Sequence, residues 1–374
     1  MKNAAYNTTF NGKKIRKSVN YWYVFLCSML KNLKTGGNLG VILPASWDYA
    51  DYNLSMREYL PSQFRSFEVF RSQNPLFKGV GDGSVVIIGK GYKKSHKINN
   101  RFECNDYNTL IESLNNKECL MQAVHLPKKL NTNKTIETIQ FRDIADVHIG
   151  AVTGDVAYFL FKEKDIRENN LPIEAFLPIL SRANHLMTPD MTPEYWNQLR
   201  EKSERLWLFY PNNNIIHDPN VQRYLNLPKI DGGCNRDAYQ VKKRTTWYLV
   251  NIPTKADGFI SGMSNTQPFI TINSIPSLIA SNTLYIVNFH ENSLIYKYSW
   301  SLSLLTSISQ ESIELNSRIY GGGLKKHEPK DILNTIIPIM KEDENAKSDY
   351  IIACNAFVNG DKDTARKIAD SYIK

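Results

Sequence analysis

Apolar residues recur at helical spacing between positions 19 and 33, at Tyr23, Leu26, Cys27, Leu30 and Leu33, which predicts a helix. Gly36-Gly37 follows, a pair free to take the positive φ that ends a helix. Residues 39–43 then form a continuous apolar run bounded by Gly and Pro, as expected of a strand buried on both faces. Residues 54–60 predict a short helix stopped by Pro61. Residues 64–70 and 84–89 predict two more strands, with the loop GVGDG (79–83) ahead of the second. One helix between strands gives a βαβ-like rhythm, so this first stretch reads as α/β.

After Gly91 the pattern changes. The run KGYKKSHKINNR (90–101) is polar and basic, and it predicts a linker. Short strands are expected at 246–250, 268–272 and 283–288, and helical patterns return at 299–315 and 329–336. The expected organisation is an α/β portion at 1–92 followed by one irregular α+β domain at 103–374.

A chain of 374 residues can bury two cores. No apolar run reaches the ~20 residues that span a bilayer, so no membrane segment is expected. The early lysines are followed by no apolar stretch with a small-residue cleavage site, so no signal peptide is read. Five cysteines without a CxxC pair fit reduced thiols in a cytoplasm, and scattered histidines without HExxH give no metal site.

The formal charge is +9, and its distribution carries more than its total. No acid occurs from position 1 to 47, while Lys2, Lys13, Lys14, Arg16, Lys17, Lys31 and Lys34 accumulate. Further basic clusters lie at 90–101, 242–244 and 318–330. Basic clusters interleaved with Tyr and Trp suit a phosphate backbone; a solvated lysine surface has the same composition.

Four stretches resemble the gamma-class N6-adenine DNA methyltransferases of type II restriction–modification systems. LKTGGNLGVILP (33–44) is similar to the helix, glycine turn and strand that follow the family's catalytic motif. NPLFKGVGDGSVVIIGKG (74–91) resembles the stretch in which an aromatic, here Phe77, precedes the final antiparallel strand. HIGAVTGDVAYFLF (148–161) resembles the opening of the target-recognition domain, at Gly150, Thr153, Gly154 and Phe159. RIYGGGLKKHEPKDILNTIIPI (318–339) resembles the loop, helix and proline that close it, and KRTTWY (243–248) adds a weaker match. The stretches occur in the family's order and cover nearly the whole chain.

The resemblance implies a partial Rossmann-like methyltransferase sheet followed by an α+β target-recognition domain. It also implies adenine-N6 methylation with S-adenosylmethionine as cofactor and double-stranded DNA as partner. The family's catalytic motif is Asn/Asp-Pro-Pro-Tyr/Phe; here Asn3-Ala4-Ala5-Tyr6 stands at the start. It is either a degraded form of that motif or a chance match. By resemblance Asn3 would accept an adenine N6–H bond, while Tyr6 and Phe77 would stack on the flipped base. Phe77 reads equally as a core aromatic. Phosphate contacts are expected from Lys242, Lys243, Arg244, Lys325 and Lys326. Gly321, Gly322 and Gly323 would either let backbone approach the duplex or form a plain surface turn.

The family's cofactor loop and acidic residue would lie upstream of Asn3, and GVGDG, which leads into a strand, cannot replace them. With that part missing, the strand at 39–43 would be an exposed edge. The expectation is therefore half of a split enzyme completed by a separate N-terminal polypeptide. A non-catalytic recognition module serving a separate methyltransferase or nuclease, and an inert fragment, remain open beside it.

Overall fold

The computed structural model describes residues 9–10, 13–14, 20–49, 53–72, 83–95, 98–104, 107–115, 136–253, 255–264, 268–319 and 325–374. The chain divides into two compact units, Met1–Lys129 with Arg318–Lys325, and Leu130–Ser317 with Lys326–Lys374. Both combine helices with several sheets, so the fold is mixed α/β.

In the first unit the predicted helix forms at Tyr21–Asn32 and buries Tyr23, Leu26, Cys27 and Leu30 as one face. Gly36 takes φ +82°, and its N–H reaches the Tyr92 carbonyl at 2.8 Å while Tyr92 N–H returns to Gly37 at 3.0 Å. This turn delivers the strand Leu39–Pro44 into a sheet ordered Leu39–Pro44, Ser84–Tyr92, Phe64–Ser72, Ile98–Cys104. The first two contacts are antiparallel and the last is parallel.

Three expectations change here. The strand Leu39–Pro44 is not buried on both faces: Leu39 and Leu43 are buried, whereas Gly40 and Ile42 are exposed. Among the described residues it pairs only with Ser84–Tyr92. The second helix runs Leu54–Gln63 and carries Pro61 inside it. Pro61 stands in the last turn, so the N–H it lacks removes only one i+4 hydrogen bond, that to the Arg57 carbonyl, before the helix ends at Gln63. Finally, Ile98–Cys104 is a strand rather than the end of a linker. Arg101 fastens it, donating to both Asp48 carboxylate oxygens at 2.9 and 2.8 Å, while Arg71 reaches the same carboxylate at 3.1 Å.

The second unit holds a five-stranded sheet ordered Asp190–Met191, Ile270–Asn273, Gly258–Ser261, Leu284–Phe289, Ala145–Ile149. A four-stranded sheet orders Ile279–Ala280, Phe176–Leu180, Trp207–Phe209, Leu160–Phe161. Helices Leu294–Ser303 and Ala346–Val358 pack Tyr298, Trp300, Tyr350 and Phe357 into the core beside the larger sheet. The single helix expected at 299–315 is two, because Thr306 starts the second, Ser307–Asn316, by accepting from Ser309 N–H at 3.3 Å. Residues 246–250 form a turn, closed by Leu249 N–H on the Thr246 carbonyl, and not a strand.

Among the described residues no helix is long and apolar enough to cross a membrane, and no group of His, Cys, Asp or Glu could hold a metal ion.

Candidate nucleic-acid interface

The segment 150–155 leaves the end of the strand Ala145–Ile149 and is fixed by backbone contact on every side. Gly150 lies so close to Ser281 that an added Cβ would sit 2.2 Å from that residue's carbonyl oxygen. Ala151 N–H donates to Ala280 at 2.7 Å, and Asn282 N–H returns to Ala151 at 3.0 Å. Gly154 takes φ +77°, and a Cβ there would meet the Gln240 side chain at 2.9 Å. Asp155 then caps the short helix Val156–Phe159, accepting from Tyr158 N–H at 3.2 Å, and also accepts from Asn235 N–H at 2.9 Å. The loop is thereby tied to the segment that carries Gln240 through Tyr248.

Arg244 completes this tie. Its guanidinium donates to the carbonyls of Val152 (2.7 Å), Thr153 (2.6 Å) and Trp247 (3.1 Å) and lies 5.2 Å from the Phe159 ring centre. Burial lowers its pKa, yet a guanidinium stays protonated in any protein. Phe159 is fully buried, and Tyr158 stacks on Tyr224 with ring centres 4.7 Å apart. Burial raises both of these phenols, which donate to backbone carbonyls. Arg236 covers the Trp247 ring at 4.3 Å. The aromatic members of HIGAVTGDVAYFLF and KRTTWY therefore serve packing.

A cleft of about 380 Å³ opens between these segments. Gly150 and Val152 form one wall, Gln240, Lys243 and Arg244 another, and residues 251–253 close the end. Among the described residues no carboxylate lines it. Lys243, Gln240 and Asn251 are exposed, and among the described residues their side chains make no hydrogen bond or ion pair. Lys242 is likewise exposed.

The expected cations thus divide. Lys242 and Lys243 present ammonium groups outward, whereas Arg244, expected to face phosphate, has three of its five donors on backbone carbonyls. Lys325 and Lys326 form a short half-buried strand, and Lys326 pairs with Glu328 at 2.8 Å. Glu328 also caps the helix Pro329–Leu333 through a reciprocal box with Asp331, the helix-starting role its position before a proline suggests. Asn3, Tyr6, Phe77, Gly321, Gly322 and Gly323 lie outside the described residues. Gln240 and Asn251 were not legible as site residues in sequence, since only the folding of 150–155 against 240–253 brings them together.

Residues 119–373 match the family described as Type II methyltransferase M.Eco57I, C-terminal domain. The chain belongs to that family. The matched span contains the loop at 150–155, the cleft and all five expected cations, and it excludes Asn3, Tyr6 and Phe77. The chain is also similar to the Type II methyltransferase M.AccI of Acinetobacter calcoaceticus, at 23% identity over 347 residues. That match covers 85% of this chain but 62% of M.AccI, so the chain spans less than two thirds of that relative.

Among solved structures, the Type IIL restriction-modification enzyme MmeI, determined in complex with DNA, aligns over 99% of this chain and 52% of its own, with TM-score 0.52 and 14% identity. The type IIG restriction endonuclease BpuSI aligns over 96% of this chain and 50% of its own, with TM-score 0.41 and 16% identity. The likeness to MmeI is one of fold.

Proposed function

We propose that this chain is the DNA-gripping part of an adenine-N6-specific DNA methyltransferase of a restriction–modification system. The observation that carries the reading is the joining of residues 150–154 to Lys243 and Arg244, within a family named after a Type II methyltransferase. On this reading double-stranded DNA is the partner, and Lys242 and Lys243 meet its phosphates. Base readout stays unassigned.

By the resemblance, Asn3 accepts a hydrogen bond from adenine N6, while Tyr6 and Phe77 hold the extruded base between aromatic faces. The first unit's sheet is then the closing part of a Rossmann-like methyltransferase sheet. Its edge supports this: Leu39–Pro44 pairs on one side alone among the described residues and exposes Ile42. An edge of this kind takes a further strand, which a separate N-terminal methyltransferase half would supply.

S-adenosylmethionine would supply the sulfonium methyl. By resemblance it needs a glycine-rich loop running from a strand into a helix, and a free acid. Among the described residues of the first unit no strand enters a helix through glycines. Asp48, the carboxylate after the strand Leu39–Pro44, is held by Arg71 and Arg101. These residues do not fit the cofactor. A second reading is a non-catalytic recognition module acting with a separate methyltransferase or nuclease.

The deciding experiment is methyl transfer from labelled S-adenosylmethionine to duplex DNA, by this chain alone and with the product of the upstream reading frame. Transfer only with the companion supports the split enzyme. Transfer by this chain alone overturns it, and duplex binding without transfer in either case favours the recognition module.

A further inference from the structure

We propose that the cleft between residues 150–152 and 240–253 seats one phosphodiester of a DNA strand. Lys243 supplies the counter-charge, and the side-chain amides of Gln240 and Asn251 supply hydrogen bonds. The assignment rests on the DNA-gripping reading above and names where on the protein a strand would lie.

Three features of the cleft lead to this ligand. First, among the described residues its walls carry two cations and no carboxylate, so its potential favours an anion. Second, its polar side chains are unspent. Among the described residues the side chains of Gln240, Lys243 and Asn251 make no hydrogen bond or ion pair, whereas both Asp155 carboxylate oxygens and three of the five Arg244 donors are engaged. Third, Gly150 and Val152 make one wall, which offers the ligand no side-chain polar group to compete with those opposite. At about 380 Å³ the space lies within the roughly 300–1,000 Å³ range of small-ligand sites.

A phosphodiester fits better than a base edge. Readout in a groove is made by side chains that project into the duplex, whereas these amides line a recess. The recess can receive an anionic strand, or a base only if it is extruded. Arg244 is a positioning residue in this scheme. Its hydrogen bonds hold Val152, Thr153 and Trp247 in place, and its charge adds to the field without needing to touch the strand.

The test uses the full chain and duplexes it enriches from a random pool, with affinity measured across salt concentrations. Lys243→Ala is expected to weaken binding on all sequences by about tenfold and to lower the salt slope by about 0.9. Gln240→Ala and Asn251→Ala are expected to weaken binding about three- to tenfold, within the range of a lost hydrogen bond, with slope and enriched sequence unchanged. Phosphate ethylation maps the contact: one phosphate whose ethylation blocks the parent chain should no longer matter to Lys243→Ala.

An unchanged slope in Lys243→Ala, or no ethylation difference, overturns the proposal while leaving the DNA reading intact. A shift in enriched sequence with either amide variant also overturns it, because the recess would then read a base. If the parent chain enriches no duplex at all, the DNA reading falls and this assignment with it. All three side chains are exposed, and unchanged thermal melts establish that the variants are folded.

Discussion

The guanidinium of Arg244 donates to the carbonyl oxygen of Thr153 at 2.6 Å, across 91 positions of sequence. Lysine carries one compact ammonium and cannot reach three carbonyls set around a planar fork. Arg244→Lys is therefore expected to destabilise the second unit by about 2 kcal/mol, the scale of hydrogen bonds to a charged group. Its DNA salt slope should stay at the parent value. Thermal melts and a salt titration check both parts, and a slope lower by about one would mean that Arg244 touches phosphate after all.

Glycine has separate reasons at the two ends of the same loop. Gly154 sits at φ +77°, where alanine is strained by roughly 1–2 kcal/mol. Gly150 has no such dihedral demand, but its added Cβ would lie 2.2 Å from the Ser281 carbonyl oxygen. Backbone there must move, and Ala151 and Asn282 pair across the same junction. Gly150→Ala should thus lower the melting temperature more than Gly154→Ala. The reverse order would show that the junction at Ser281 yields easily.

What the sequence disclosed follows from where the energy lies. The helix at Tyr21–Asn32 and its glycine turn were legible because burial of Tyr23, Leu26, Cys27 and Leu30 imposes a helical spacing. The strand Ile98–Cys104 read as linker because its first three residues are exposed, and it is held by backbone pairing and the Arg101–Asp48 fork. Gly150, Gly154 and Lys243 stand in stretches that resemble the family, but nothing local says that those stretches meet. The same limit hid Gln240 and Asn251. For Arg244 the residue type suggested phosphate, and only the folded geometry shows its fork spent on Val152, Thr153 and Trp247.

Lys326 and Glu328, 2.8 Å apart, bear on the second basic cluster. Replacing Lys325 and Lys326 together by alanine is expected to weaken duplex binding across sequences and to reduce its salt slope. Because Glu328 already offsets Lys326, the slope should fall by less than the two unit charges would give. A slope equal to that of the parent chain removes both residues from the interface.

His185 gives a pH signature of the second unit's core. The ring is fully buried, its Nδ1 accepts from Ser181 N–H at 3.3 Å, and its Nε2 faces Glu204 at 3.4 Å. Burial lowers its pKa below the ordinary 6.5, with the Glu204 carboxylate opposing and Arg182 assisting. The unfolded chain thus binds the proton first as pH falls, so stability declines from about pH 6.5 downward until the folded pKa is passed. His185→Asn keeps an acceptor and does not titrate. Urea unfolding of both forms should show a constant stability difference above pH 6.5 and a relative loss for the parent chain below it. A difference that is flat on both sides of that value would show that the buried ring does not take up a proton on unfolding.

In the first unit, Tyr21, Phe25 and Met29 recur every four residues along one helix and all three are exposed, Phe25 to 70%. Ile42, on the strand that pairs on one side alone among the described residues, is 53% exposed. An exposed apolar helix face favours association by burial, and a strand that pairs on one side favours it by backbone pairing. The chain expressed alone is therefore expected to self-associate on size exclusion at micromolar concentration. Ile42→Lys places a charge on the edge and Phe25→Glu one on the helix, and each should shift the population toward monomer without lowering the melting temperature. If the exposed face is where a separate methyltransferase half adds its strand, the same two substitutions should also weaken assembly with that companion. A parent chain that runs as a stable monomer, unaffected by either change, would remove the support this edge gives to a split enzyme.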